Sequence, residues 1–289
     1  MCAVGTDESQ TQTRRQFILL IGAFFLLKAL VHVCTLHLGP YGYFRDEFYY
    51  LDCAANLDWG YVDQPPFAPF VLAVTRALFG TSLLAIRLPA ILAGAGTVAM
   101  AGLLAREMGG GRFAQSLACL SLIAAPVFLT MGSFFSMNPF DYLFWAVAAY
   151  ILVRIIKTDN SRLWLWFGVT AGLGLENKMS MAFFGGLVAV AMVFTPQRKY
   201  YLDKYLWLGG AIALVMFLPN ILWQVKHGWP SLEFMHDTGA YKNLPVTFPR
   251  FILQQLLVMG PLTAPVWIAG LLYGLFSKRG RTFLVFNTR

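Results

Sequence analysis

The sequence predicts an all-α protein: a polytopic bundle of about eight transmembrane helices, with an interfacial helix after the first extracytoplasmic loop. Three observations carry that reading. Of the 289 residues, 58% are hydrophobic and 12% charged, far from the balance of a soluble globular domain. Apolar runs approaching the 20 or so residues that a helix needs to cross a bilayer recur along the chain. Lys and Arg collect in alternate gaps between those runs, as the positive-inside bias requires. The net charge of +8 does not point to nucleic acid, whose footprint concentrates basic residues on one face or arm. Cys2, Cys34, Cys53 and Cys119 show no CxxC spacing, which argues against a zinc site or a disulfide framework.

The first span is expected at about 17–37, after Arg14 and Arg15. The LHLGPYGY that follows has no small-x-small cleavage pattern, so the segment reads as an uncleaved helix rather than a secretory leader. Lys28 and His32 interrupt it four residues apart, on one helical face, as a bundle-facing or snorkelling stripe would. An acidic loop, Tyr43 to Pro66, comes next. The apolar run from Phe67 to Phe79 has thirteen residues and contains Pro69 and Arg76. It is too short to span and reads as an interfacial or re-entrant helix. Arg87 and Pro89 open span two, which runs to Leu104. Span three covers about 113–132, with Pro126 near its outer end, and a polar turn, SFFSMNPFD, leads to span four at about 140–156. Segment 163–177 is short and glycine-rich and brings Glu176, Asn177 and Lys178 to the outer rim. Further spans follow at 180–195, 205–224 and 250–276. A polar loop, QVKHGWPSLEFMHDTGAYKN, precedes the last of them, and SKRGR follows it.

Eight spans place both termini in the cytoplasm, and the charges agree. Fourteen basic residues then lie inside against five acidic ones, while outside seven basic residues meet nine acidic ones. Making 67–79 a ninth span would reverse every later loop and destroy that bias. With no fixed-period repeat, low-complexity tract or interdomain linker to divide it, 1–289 reads as a single transmembrane domain.

The acidic loop holds five of the fourteen acidic residues: Asp46, Glu47, Asp52, Asp58 and Asp63. Carboxylates beside a membrane span cost several kcal/mol if they meet lipid, so they belong in a polar pocket at the boundary. The adjacent pair Asp46-Glu47 suits a general base or half of a metal site, and a plain solvated helix start is the bland alternative. Tyr49, Tyr50, Trp59 and Tyr61 could stack on a sugar or anchor the loop in the interface. Asp63-Gln64 precedes Pro65-Pro66, which bar a helix from running through Gln64 and would hold Asp63 in a fixed direction. Arg87 and Lys178, at outer helix ends, could bind a phosphate or merely snorkel. His227 and His236, nine residues apart, match no His-pair metal motif.

At this point the sequence resembles a known family. FRDEFYYLDCAANLDWGYVDQPPFAPFVLAVTRALFG, IRLPAILAG, FSMNPFDYLFWAVAAYIL, AGLGLENKMSM and FLPNILWQVKHGWPSLEF are similar to bacterial membrane glycosyltransferases related to protein O-mannosyltransferases and lipid A aminoarabinose transferases, in a likeness that spans most of the chain, about 17–270. The combined order of acidic pair, diproline, RLP and NK carries the likeness; each motif alone is weak. The resemblance implies a C-type glycosyltransferase fold and an inverting enzyme of the cell (inner) membrane. Its donor would be a polyprenyl-phosphate-linked sugar used on the extracytoplasmic face, and its acceptor a lipid, glycan or protein. It further implies Asp46 as catalytic base with Glu47 as its partner, Asp63 and Gln64 in substrate binding, and Lys178 near the donor phosphate. Family members place an Asp in the turn where Asn138 stands here, with Asp141 three residues on. Relatives also continue with further spans, so the chain is expected to be shortened at its carboxy end.

The expected chemistry is a single displacement at the anomeric carbon, with Asp46 taking a proton from the acceptor or orienting it. Lys178 and Arg87 would stabilise the leaving phosphate. The prenyl tail would lie between spans, with residues 65–80 shaping the entrance. A divalent cation is left open and no ligand set is visible for it. The rivals are a lipid-linked-sugar transporter or flippase, which would place ionisable groups near mid-bilayer, and a non-catalytic subunit that binds lipid-linked sugar.

Overall fold

The computed structural model describes residues 4–39, 42–241 and 246–276. SKRGR and the carboxy terminus lie outside the described residues. Among those described, every regular element is helical: thirteen α-helices and one 3₁₀ turn.

Helix α1 (Val4–Leu38) is followed by α2 (Arg45–Ala55), α3 (Phe67–Phe79) and α4 (Leu83–Glu107). Next come α5 (Arg112–Ala124), the single turn-and-a-half α6 (Pro126–Met131), α7 (Asn138–Thr158) and α8 (Leu163–Asn177). Helix α9 (Ser180–Val193) leads into the 3₁₀ segment Pro196–Leu202, and α10 (Lys204–Lys226), α11 (Pro230–Tyr241), α12 (Phe248–Met259) and α13 (Ala264–Phe276) complete the chain. The thirteen-residue apolar run is helical over its whole length, as α3.

By length and hydropathy, four helical stretches among the described residues can cross a membrane: Arg15–Leu38 of α1, α4, α7 and α10. Two bent pairs, α9 with the 3₁₀ segment (108°) and α12 with α13 (113°), raise the count to as many as six. The expected eight include two segments that are short for a bilayer: the broken pair α5–α6, and α8 with its fifteen residues.

The breaks have local causes. Ala125 sits at ψ 125°, the extended conformation that a following proline imposes, and Pro126 cannot donate the bond that would join α5 to α6. Gly260-Pro261 separates α12 from α13, with Gly260 at φ 89°, a conformation glycine adopts without penalty. Helix α4 begins four residues before Arg87, because the Ser82 hydroxyl accepts the Ala85 amide at 3.2 Å and caps it.

Two expected loops contain helices. The acidic loop carries α2, and the polar loop after α10 carries α11, which starts at Pro230. Helices α8 and α10 pack so closely that a Cβ on Gly168 would stand 2.1 Å from the Gly209 carbonyl oxygen, the small-residue contact typical of membrane helices. A core of Tyr50, Ala54, Ala68, Leu72, Ile86, Phe135 and Phe140 joins α2, α3, α4 and the start of α7. That core fixes the end of the bundle where the acidic residues lie.

Candidate active site

The site is built around Glu47. Its side chain is fully buried (0% exposed), which would be prohibitive for a lone carboxylate, and four donors surround it. Arg87 Nε reaches Oε1 at 2.8 Å and the Arg87 Nη2 reaches Oε2 at 2.8 Å. The Phe44 amide donates to Oε2 at 2.7 Å, and the Phe135 amide to Oε1 at 2.8 Å. The Phe44 contact is the reach-back half of a capping box, in which the third helical residue satisfies the amide of the N-cap. Arg87 also donates to the Gly42 carbonyl at 2.7 Å. Glu47 therefore ties the start of α2 to α4 and to the turn before α7. Its charge is balanced by Arg87, and the fold itself supplies all four donors to its two oxygens.

Asp46, one residue earlier, points the other way. Its side chain is 46% exposed and, among the described residues, pairs with Arg45 alone, at 3.2 Å and itself 90% exposed. One turn on, the Tyr49 hydroxyl donates to Asp63 at 2.5 Å. Burial, reinforced by this hydrogen bond, pushes the Tyr49 hydroxyl above its ordinary range and keeps it a donor. Asp63 is thus held on α2 by Tyr49. Gln64 is buried at 1% exposure, and neither atom of its amide has a hydrogen-bond partner among the described residues. Its backbone carbonyl accepts the Tyr61 amide at 3.0 Å.

The stretch 135–138 carries this arrangement across to α8. The Phe135 amide binds Glu47, and the Met137 amide donates to the Tyr50 hydroxyl at 3.0 Å. The Met137 carbonyl accepts Asn177 Nδ2 at 2.9 Å, and Asn138 Oδ1 accepts Lys178 Nζ at 2.9 Å. Lys178 also lies 3.8 Å from Asp141, whose other oxygen accepts the Ser180 hydroxyl at 2.6 Å. Asn138 and Asp141 therefore share one lysine. Four consecutive residues bring the acidic helix and Lys178 to the same end of the bundle. Ser180 is a member that sequence reasoning missed; its only signal was a hydroxyl two residues after the lysine.

Loop 58–64 is fastened from the other side. Asn220 Nδ2 donates to the Trp59 carbonyl at 2.9 Å, and the Ser231 hydroxyl to the Tyr61 carbonyl at 3.3 Å. Gly60 packs directly on α10, where an added Cβ would meet the Trp223 ring at 2.5 Å. Lys28 and His32, the polar stripe of α1, are buried as well. Lys28 Nζ donates to the Phe128 carbonyl in the last turn of α6 at 3.1 Å, so the mid-span lysine caps a broken helix. As for the divalent cation, among the described residues no three His, Cys, Asp or Glu side chains converge to hold one.

Acids, a buried ion pair and a lysine are thus gathered at one end of a helical membrane bundle. Residues 63–223, more than half of the chain, match the model of the dolichyl-phosphate-mannose-protein mannosyltransferase family, and the chain belongs to that family. It is 25% identical over 254 residues to the lipid A galacturonosyltransferase RgtD of Rhizobium johnstonii, covering 86% of this chain and 52% of that protein. It is 27% identical over 214 residues to the lipopolysaccharide core galacturonosyltransferase RgtB of the same organism, covering 71% of this chain and 41% of the relative. A third relative is the undecaprenyl phosphate-alpha-4-amino-4-deoxy-L-arabinose arabinosyl transferase of Erwinia tasmaniensis, 27% identical over 192 residues, with 62% and 33% covered. The chain spans about half the length of the first of these relatives, and less of the others.

Proposed function

We propose that this chain transfers a sugar from a polyprenyl-phosphate-linked donor to a lipid A or core-glycan acceptor, at the extracytoplasmic face of the inner membrane. The observation that carries the reading is the 135–138 stretch, which puts a half-exposed carboxylate, Asp46, and a half-buried cation, Lys178, at one end of the bundle. The names of the relatives supply the donor and acceptor classes, and the distribution of Lys and Arg supplies the orientation.

In this mechanism Asp46 accepts the acceptor hydroxyl's proton while that oxygen attacks the anomeric carbon from the face opposite the phosphate. The bond to the lipid phosphate breaks, and the departing oxygen gains a negative charge that Lys178 stabilises. The configuration at the anomeric carbon inverts. Glu47 and Arg87 hold α2 in place without touching substrate. Asp63, oriented by Tyr49, and Gln64, with its unpartnered amide, are positioned to bind sugar hydroxyls.

The lipid tail has a candidate berth. A cavity of about 460 Å³ opens beside Asp141 and runs along Phe128, Tyr142, Trp145, Thr97 and Leu104, between α4, α5, α6 and α7. This berth lies between spans, and α3 is not part of its lining. The test is transfer by the purified chain with synthetic undecaprenyl-phosphate-linked sugar and lipid A. Product with inverted stereochemistry that disappears in Asp46→Asn supports the reading, and equal turnover in Asp46→Asn refutes it.

A further inference from the structure

At the other end of α4 and α7 lies a second polar site that sugar transfer does not use. Along α4, Arg106 follows Arg87 by nineteen residues, about 28 Å at the rise of an α-helix. There a cleft of about 460 Å³ is lined by Arg106, Glu107, Tyr150, Arg154, Lys157 and Phe17, with two aliphatic neighbours. Lys157 Nζ bonds Glu107 at 2.8 Å, and Arg154 lies 3.6 Å from the same carboxylate while donating to the Tyr150 hydroxyl at 3.2 Å. The Arg106 guanidinium lies 3.8 Å above the Phe17 ring, and among the described residues no carboxylate pairs with it.

The charge balance decides what the cleft can hold. Three cations face one carboxylate. The carboxyl ends of α4 and α7 each add roughly half a negative charge, so about one positive charge remains for an incoming anion. A phosphodiester carries one negative charge. The surroundings favour a lipid over a soluble ion, because Phe17 opens the strongly apolar stretch of α1, and a headgroup bound at Arg106 would lay its acyl chains along it. Basic clefts between membrane helices on the cytoplasmic side suit acidic headgroups for this reason.

We propose that this cleft binds the headgroup of an anionic phospholipid from the leaflet opposite the candidate active site. Arg106 and Arg154 make the phosphate contacts, Lys157 stays on Glu107, and Phe17 packs on the glycerol backbone. The site does not depend on the proposed transfer reaction.

The experiment is thermal unfolding of the purified chain in neutral detergent, titrated with phosphatidylglycerol, with phosphatidylcholine, or with inorganic phosphate at matched phosphate concentration. Phosphatidylglycerol should raise the unfolding temperature saturably and the other two should not. In R106Q/R154Q the apparent affinity for phosphatidylglycerol should fall about 25-fold, at about a factor of five per arginine. The control R162Q/R198Q removes two exposed arginines elsewhere and should bind as the wild type does. If R106Q/R154Q folds poorly, Arg106→Gln alone, which disturbs only a ring contact, should weaken binding about fivefold. Equal weakening by both double variants would mean diffuse attraction and overturn the site. An equal response to inorganic phosphate would overturn its assignment to a lipid, and undiminished binding by Arg106→Gln would overturn it outright.

Discussion

Glu47 and Asp46 are neighbours in sequence and opposites in setting. Glu47 is buried with a bidentate arginine and two backbone amides, whereas Asp46 is half-exposed with one solvent-facing arginine beside it. A carboxylate whose lone pairs are already taken by four donors has little left with which to accept a proton; one at an open rim has. The difference teaches that an acidic pair can divide its work, one member holding the helix so that the other is presented. The same division separates Arg87, balanced by Glu47, from Lys178, whose contacts are Asn138 and, at longer range, Asp141.

The comparison breaks most visibly in the buried member. Glu47→Gln or Arg87→Met leaves one charge uncompensated and should destabilise the protein by about 3–5 kcal/mol. Thermal unfolding in detergent should show a lowered midpoint before any assay of transfer. The exposed member should behave in the reverse manner. Asp46→Asn should keep the wild-type unfolding midpoint while turnover drops by about 10²–10⁴-fold, the usual contribution of a positioned general base. A fall in stability matching that of Glu47→Gln would erase the distinction.

Lys178→Met should cost about 1.5–3 kcal/mol, the range for hydrogen bonds to charged groups, read as a loss of kcat/KM with the lipid-linked donor. Lys178→Arg should recover part of it, and full activity in Lys178→Met would remove the lysine from the site. The smallest effect is expected at Tyr49. Its hydroxyl titrates above its unfolded value of about 10, so the stability it contributes is complete below that pH and is lost as pH rises toward the folded value. Tyr49→Phe should therefore cost about 0.5–1.5 kcal/mol at neutral pH, the range for a single hydrogen bond, and flatten the alkaline fall in unfolding midpoint.

Much of the bundle was legible in the sequence because crossing a bilayer imposes a length and a hydropathy that single stretches must satisfy. Helices α1, α4, α7 and α10 and the thirteen-residue α3 fall where apolar runs place them. Helices α2 and α11 were hidden because each is short and mixes charged residues among its apolar ones, so that no apolar run of span length marks it. The bends at Pro126 and Gly260-Pro261 were visible as residues but were absorbed into spans of suitable total length. Within the site, Asp46, Asp63 and Lys178 were marked by charge in unusual places. The Glu47–Arg87 pair joins residues forty apart through a third segment at Phe135, and no local pattern specifies such a contact. Neither does sequence reveal that Asn138 and Asp141 serve one lysine.

The account stands on Asp46 and Lys178 facing the same aqueous compartment. The direct measurement uses Asp46→Cys and Lys178→Cys, each in a Cys2→Ser/Cys34→Ser background that leaves only the buried Cys53 and Cys119. Each is exposed in oriented membrane preparations to a maleimide that cannot cross the bilayer. Labelling of both positions from the extracytoplasmic side, and of neither from the cytoplasmic side, is the predicted result. Labelling of the two from opposite sides would contradict it.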